Sequence, residues 1–215
     1  MFLVSGLDLK YPNQERNLLE GINISLQAGE LLFLRGPNGS GKTSLLNAIS
    51  GIIPQRVKAG LAGSISLNGI DLQPVPLNER FRHLAYQMSD PDNQIFFPRL
   101  AKELSFALEN AGLPGADIHR RIDLWAEHFG LGGFWQTEPG KLSRGQKKIL
   151  ILAVCAAMET PLVLLDEPSS GLDYDALARV KAWLEQVLGQ GRIVIMAEHD
   201  PELSSLATKT LVLGQ

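Results

Sequence analysis

Cysteine is almost missing from this chain: Cys155 is the one thiol in 215 residues. No intrachain disulfide can form, which excludes a secreted, disulfide-framed scaffold and fits a reducing compartment. Positive charge is not in excess either. Twenty Lys and Arg stand against 23 Asp and Glu, a net charge of −3. A duplex nucleic-acid binder carries a basic stripe, so this balance argues against one. No window reaches about 18 consecutive uncharged apolar residues, so the chain is not expected to cross a bilayer alone. Residues 1–8 lack a basic stretch and end on Asp8, unlike a signal peptide. A soluble or peripheral protein of the cytoplasm is the expectation. His83, His119 and His128 are scattered without metal-ligand spacing and read as surface residues. Internal repeats, low-complexity tracts and Ser/Pro linkers are missing too.

What is present is globular. Apolar residues make up 45% and charged residues 20%, too apolar and too weakly charged for disorder. The length suits one domain, or one with a small appendage. A chain of this size buries enough apolar surface to need no structural metal.

Leu31-Leu32-Phe33-Leu34 is a short apolar run that suits a buried strand. A glycine-rich turn follows over 36–41, and residues 43–50 read as a helix with Leu45, Leu46 and Ile49 on one face, stopped by Gly51. Residues 64–68 alternate polar and apolar, as an edge or antiparallel strand does, and Asn68-Gly69 signals a turn. Residues 101–134 are helical and charged, broken at Pro114-Gly115 and Gly130, and look like a helical insertion. A long, largely apolar helix is expected over 145–158, buried strands over 162–165 and 193–196, and a helix between them over 174–188. Strand–helix–strand alternation around buried strands points to a parallel α/β sheet.

Residues 36–43, Gly-Pro-Asn-Gly-Ser-Gly-Lys-Thr, match the phosphate-loop pattern G-x-x-x-x-G-K-[ST]. Glycines let backbone N–H groups of Asn38, Gly39, Ser40 and Gly41 turn inward onto phosphate oxygens. The following helix presents its positive end to the same charge, around Ser44. Lys42 adds a cation near the β and γ oxygens, and Thr43 offers a hydroxyl to Mg²⁺. The apolar run at 162–165 ends in Asp166 and Glu167. Strand tips in open α/β sheets are where ligands sit. Asp166 is positioned to hold Mg²⁺ and Glu167 to polarise an attacking water.

Leu142-Ser143-Arg144-Gly145-Gln146, with the two motifs above, resembles the signature of ABC-type ATPases, usually Leu-Ser-Gly-Gly-Gln. Other family elements follow in order. Gln87 is similar to the Q-loop glutamine, also a metal contact. Residues 169–173, Ser-Ser-Gly-Leu-Asp, look like the D-loop, with Asp173 at its end. His199 looks like the switch histidine and Tyr11, in Tyr11-Pro12-Asn13, like the aromatic that stacks on adenine. Six ordered motifs cover nearly the whole chain. The departure is Arg144, in place of the first signature glycine; Ser143 and the Gly145 N–H survive, so the anion site is expected to survive.

The resemblance implies a P-loop NTPase core with a mostly parallel sheet, an N-terminal antiparallel β subdomain and an inserted helical subdomain. It implies one ABC-type ATPase domain over 1–215: core and β parts at about 1–90 and 160–215, helical part at about 91–159. It also implies ATP and Mg²⁺, and a second ABC ATPase subunit packed head to tail. Each ATP then lies between Lys42 of one subunit and Ser143, Gly145 and Gln146 of the other. Residues 87–97 are similar to the corresponding segment of energy-coupling-factor importer ATPases, a group that serves vitamins and transition-metal ions. Ile95, Phe96 and Phe97 are apolar residues in a polar loop, either a seat for a membrane subunit's coupling helix or packed inside the helical part. The chain stops at Leu213-Gly214-Gln215, short of the extension many such importers carry, which leaves assembly to the nucleotide sandwich and the membrane partner. The expected place is the cytoplasmic face of the membrane, with no nucleic acid. Two alternatives stay open: a soluble ABC-type ATPase acting on nucleic acid or ribosomes, and another phosphate-loop enzyme such as a small-molecule kinase.

Overall fold

The computed structural model describes residues 1–12, 14–134 and 137–214. Asn13 of the turn after Tyr11 and the terminal Gln215 lie outside the described residues.

Chain order is β1 (Phe2–Lys10), β2 (Leu19–Leu26), β3 (Leu31–Arg35), α1 (Lys42–Ser50), a short α2 (Ile52–Gln55), β4 (Gly60–Leu67) and β5 (Ile70–Asp71). A short α3 (Leu77–Arg80), β6 (Leu84–Gln87), α4 (Leu100–Asn110), α5 (Gly115–His128) and α6 (Arg144–Met158) follow. The chain then runs through β7 (Leu162–Asp166), α7 (Tyr174–Gly189), β8 (Ile193–Ala197), a short α8 (Pro201–Ser204) and β9 (Lys209–Val212).

Two sheets form. β6-β7-β8-β3-β9 is parallel throughout, and β2-β1-β4-β5 is antiparallel. Every residue of β7 and β8 is buried, as are the first four of β3, because helices or the second sheet cover both faces. Side chains alternate across a strand, so each strand feeds two cores. Leu31, Phe33, Val163, Leu165, Val194 and Met196 face a core shared with α4, α5, α6 and α7. Leu32, Leu34, Leu162, Leu164, Ile193 and Ile195 face the opposite core, shared with α1 and the antiparallel sheet. The expected strands and helices therefore form, most with ends within a residue of those expected; the strand expected over 64–68 runs instead over Gly60–Leu67, and the helical stretch 101–134 holds α4 and α5. The Asn68-Gly69 turn has φ of 51° and 81°, the left-handed pair that a two-residue hairpin between β4 and β5 demands.

Sequence reading did not foresee Arg80. Its buried guanidinium donates to the carbonyls of Ile49 and Val75, at 2.8 and 3.0 Å, and to that of Leu72. It ties the end of α1 to the segment after β5. Burial pulls its pKa down, and the Asp71 carboxylate opposes that.

Candidate nucleotide site

The spatial order of the parallel sheet brings the loops after β6, β7, β8 and β3 side by side at one rim. Every residue singled out from 36–43, 166–167, 87 and 199 leaves from that rim.

The 36–41 loop is built for glycine at two places. Gly36 has φ 146°, and a Cβ there would lie 2.5 Å from the Leu213 carbonyl oxygen. Gly41, the N-cap of α1, has φ 97°, and a Cβ would meet Leu19 Cδ2 at 2.8 Å. The buried Lys42 ammonium donates to the Gly36 and Pro37 carbonyls at 2.7 and 3.1 Å, folded back over the loop. Ser40 Oγ is buried with no partner among the described residues. Asn38, Gly39, Lys42, Thr43, Ser44 and Glu167 line a cleft of about 210 Å³ here. Tyr11 Oη shares a 3.1 Å hydrogen bond with Ser44 Oγ, which sets the ring beside the first turn of α1.

Thr43 Oγ1 donates to Asp166 Oδ2 at 2.8 Å across the rim. Burial pushes the Asp166 carboxyl above its ordinary pKa, the Thr43 hydrogen bond opposes this, and the Glu167 charge adds to it. A hydroxyl and a carboxylate oxygen held this close are hard oxygen donors of the type Mg²⁺ takes. Gln87 is fully buried; its amide donates to the Asp166 carbonyl at 3.1 Å and to that of Met88. Its Oε1 is buried and unpartnered among the described residues.

Glu167 has φ 51°, a left-handed backbone that a residue with a side chain adopts only when its surroundings hold it there. Its N–H donates to the Ala197 carbonyl at 2.8 Å. Its own carbonyl accepts from Lys148 Nζ at 2.6 Å. His199 is exposed and shares a cleft of about 480 Å³ with Glu167, Asn38 and Ser169.

A second group lies in its own cleft of about 330 Å³, lined by Ser143, Gly145, Gln146, Gly171 and Asp173. Ser143 caps α6 through a reciprocal box: its Oγ accepts from the Gln146 N–H at 3.2 Å, and the Gln146 side chain accepts from the Ser143 N–H at 2.9 Å. Asp173 caps α7 by accepting from the Ala176 N–H at 2.8 Å. Thus Lys42, Thr43, Gln87, Asp166, Glu167 and His199 gather at one rim, while Ser143, Gly145, Gln146 and Asp173 gather elsewhere. The two clefts have no lining residue in common.

Of the apolar triplet, Phe96 is 76% exposed, Ile95 packs against the helical core, and Phe97 lies 4.7 Å from the Phe106 ring. Ile95 and Phe97 thus pack within the helical part, and Phe96 stays at the surface.

Glu198 and Lys148 escaped the sequence reading. Buried Glu198 accepts from the N–H groups of Ser169, His199 and Asp200, at 2.8, 2.7 and 3.2 Å, and so sews the two loops together. An acid directly before His199 was a usable signal. So was a lysine entering the apolar stretch of α6.

A glycine-rich strand-to-helix loop, a buried lysine over it, and a Thr–Asp pair from the first turn of α1 and the tip of β7 define a P-loop fold that binds a nucleoside triphosphate. Residues 19–170 match the ABC transporter family. The energy-coupling factor transporter ATP-binding protein EcfA of Methanocaldococcus jannaschii is 32% identical over 208 residues, 94% of this chain and 72% of that protein. An ABC transporter ATP-binding protein of Methanosarcina mazei is 30% identical over 189 residues, 88% of this chain but only 37% of the relative's length. The structure of cbiO1 from Clostridium perfringens, part of the ABC transporter complex cbiONQ, superposes with a TM-score of 0.81 at 27% identity, covering 99% of this chain and 84% of that one. The chain belongs to the ABC transporter family, as an ATP-binding domain of its ATPase subunits.

Proposed function

We propose that this chain is the ATP-hydrolysing motor subunit of an ABC membrane transporter of the energy-coupling-factor type, taking up a vitamin or a transition-metal ion. It works as one ABC-type ATPase domain, its helical part near 91–159 set between sheet-bearing parts near 1–90 and 160–215. It sits against an integral membrane subunit at the cytoplasmic face. Among the described residues no helix is long and apolar enough to cross a membrane. The likeness to EcfA and to cbiO1 supports the transporter class, and the exposed Phe96 beside Pro98 and Pro139 supports a seat for a membrane partner.

The residues divide the work. Tyr11 stacks on the base. The N–H groups of 38–44 and the Lys42 ammonium hold the phosphates, for which Lys42 must leave the Gly36 and Pro37 carbonyls. The unpartnered Ser40 Oγ and Gln87 Oε1 are polar groups that a bound, hydrated nucleotide can satisfy. Thr43, Asp166 and Gln87 would hold Mg²⁺, which when bound neutralises charge on the phosphate oxygens. Glu167 takes the proton of the attacking water, and His199, across the same cleft, donates to the γ-phosphate and orients it.

The observation that carries this reading is the separation of the two clefts. Ser143, Gly145 and Asp173 do not face the phosphate loop of their own chain, so a second subunit packed head to tail completes each site. ATP binds this closed pair more tightly than the open subunits, and hydrolysis removes that preference. Glu167→Gln is expected to bind Mg-ATP without turnover and to elute as a dimer in size-exclusion chromatography. Elution as monomer at saturating Mg-ATP would count against the sandwich. Tight DNA binding, with no membrane protein co-purifying in detergent, would favour a soluble ATPase instead.

A further inference from the structure

Lys148 is the group the site chemistry leaves unexplained. It is fully buried, in the second turn of α6, followed by Ile149, Leu150, Ile151 and Leu152. An ammonium in such a place is costly unless its partners are fixed. Its Nζ donates at 2.6 Å to the main-chain carbonyl of Glu167, the residue held at φ 51°. The Glu167 N–H is taken by Ala197. Both backbone groups of Glu167 are thereby clamped, the N–H from β8 and the carbonyl from α6, with a longer 3.3 Å bond from the Ser170 N–H to the same carbonyl, and the carboxylate is left to the cleft. Burial and the Arg144 charge pull the Lys148 pKa down, while the carboxylates of Glu167, Glu198 and Asp166 pull it up. The ammonium thus sits where acids from β7 and β8 converge.

Resting on the reading above, we propose that Lys148 is a positioning residue that sets the Glu167 carboxylate from the helix whose tip carries Ser143. Five residues of α-helix separate the two, a rise of about 7.5 Å. The helix is a rigid strut over that span. Ser143 at its end meets the nucleotide of the partner subunit; Lys148 along its length holds the backbone of Glu167, whose carboxylate serves the chain's own nucleotide. A shift of the tip on docking moves the Lys148 ammonium and with it the Glu167 backbone. The two sites of a dimer are linked through this one hydrogen bond in each chain.

The test is single-turnover and steady-state ATPase of the full chain with Lys148→Met, Lys148→Gln, Glu167→Gln and the Lys148→Met/Glu167→Gln double variant. Lys148→Met keeps much of the side-chain volume and removes the donor; Lys148→Gln restores a shorter donor. The expected result is a fall in kcat of about tenfold or more for Lys148→Met with KM for ATP within about threefold, since the interaction acts on the chemical step. Lys148→Gln is expected to recover part of kcat. In the Glu167→Gln background, which has no turnover, Lys148→Met is expected to leave the dimer at saturating Mg-ATP unchanged, because it acts only through that carboxylate. A wild-type kcat in Lys148→Met overturns the inference. So does loss of the Mg-ATP dimer when Lys148→Met is added to Glu167→Gln, or a Gln variant no better than Met. If Glu167→Gln alone turns over normally, the role given to Glu167 falls and takes this inference with it. If Glu167→Gln is inert and Lys148→Met turns over like wild type, only the strut is lost.

Discussion

Gly145 gives the sharpest test of the packing between the α6 tip and the loop before α7. A Cβ built there lies 2.5 Å from the Gly171 carbonyl oxygen, 3.4 Å from the Gly171 carbonyl carbon and 3.7 Å from Leu172 Cδ2. The first contact is with backbone, so no side chain can rotate away. Either the start of α6 or the 169–173 loop must retreat by roughly 0.9 Å or more to reach ordinary van der Waals separation. Overpacking of this kind costs about 1–3 kcal/mol. Alanine returns up to about 1 kcal/mol through its better helix propensity. Gly145→Ala is therefore expected to lose about 0–3 kcal/mol, or no more than about 12 °C in Tm for a chain of this size. The functional loss is expected to be larger, about tenfold in kcat, because Ser143 and Asp173 sit on the two segments forced apart. Gly140→Ala is the control, since nothing lies within 4 Å of a Cβ there. Differential scanning fluorimetry and ATPase on the three proteins decide the matter. A Gly145→Ala protein that matches wild type in both refutes the close approach of Gly145 to Gly171.

At Gly41, alanine must adopt a left-handed φ and press on Leu19, so Gly41→Ala is expected to abolish binding of a fluorescent ATP analogue while the protein stays folded by circular dichroism. Burial pushes the Cys155 thiol from 9.0 up to about 12. Below pH 9 both folded and unfolded thiols are protonated and this contribution is intact. Between pH 9 and 12 the unfolded chain holds fewer protons, so stability falls as pH rises, by up to about 1.4 kcal/mol per pH unit. Urea unfolding at pH 8 and pH 10 is expected to show a smaller drop for Cys155→Ala than for wild type; equal drops contradict the buried thiol.

The parallel core was legible because its strands are covered on both faces: Leu162, Val163, Leu164 and Leu165 form an unbroken apolar run that only a buried strand of that length explains. The phosphate loop was legible for a different reason, since its glycines are dictated by a backbone shape that few other residues tolerate. Arg80, Glu198 and Lys148 were not. Each is a charged side chain whose partners are main-chain groups distant in sequence, such as Ile49 for Arg80 and Ser169 for Glu198. Backbone amides and carbonyls are the same at every position, so no residue pattern announces such a partner. The division of the candidate site into two clefts was expected only through the family resemblance, which sets Lys42 and Ser143 on different subunits. Leu142-Ser143 and Asp166-Glu167 are near in sequence, and only the path of α6 carries Ser143 away from the rim.

All the reactive loops depart from the carboxyl ends of β3, β6, β7 and β8. The amino ends of three of these strands, entered from Glu30, Pro161 and Arg192, form the far side of the same layer. Anything attached there is held away from the nucleotide by the full length of the strands. The exposed Gln190 is such a spot. A dye or an anchoring tag placed on it leaves the chemistry untouched, which makes that side the natural handle for observing single molecules at work.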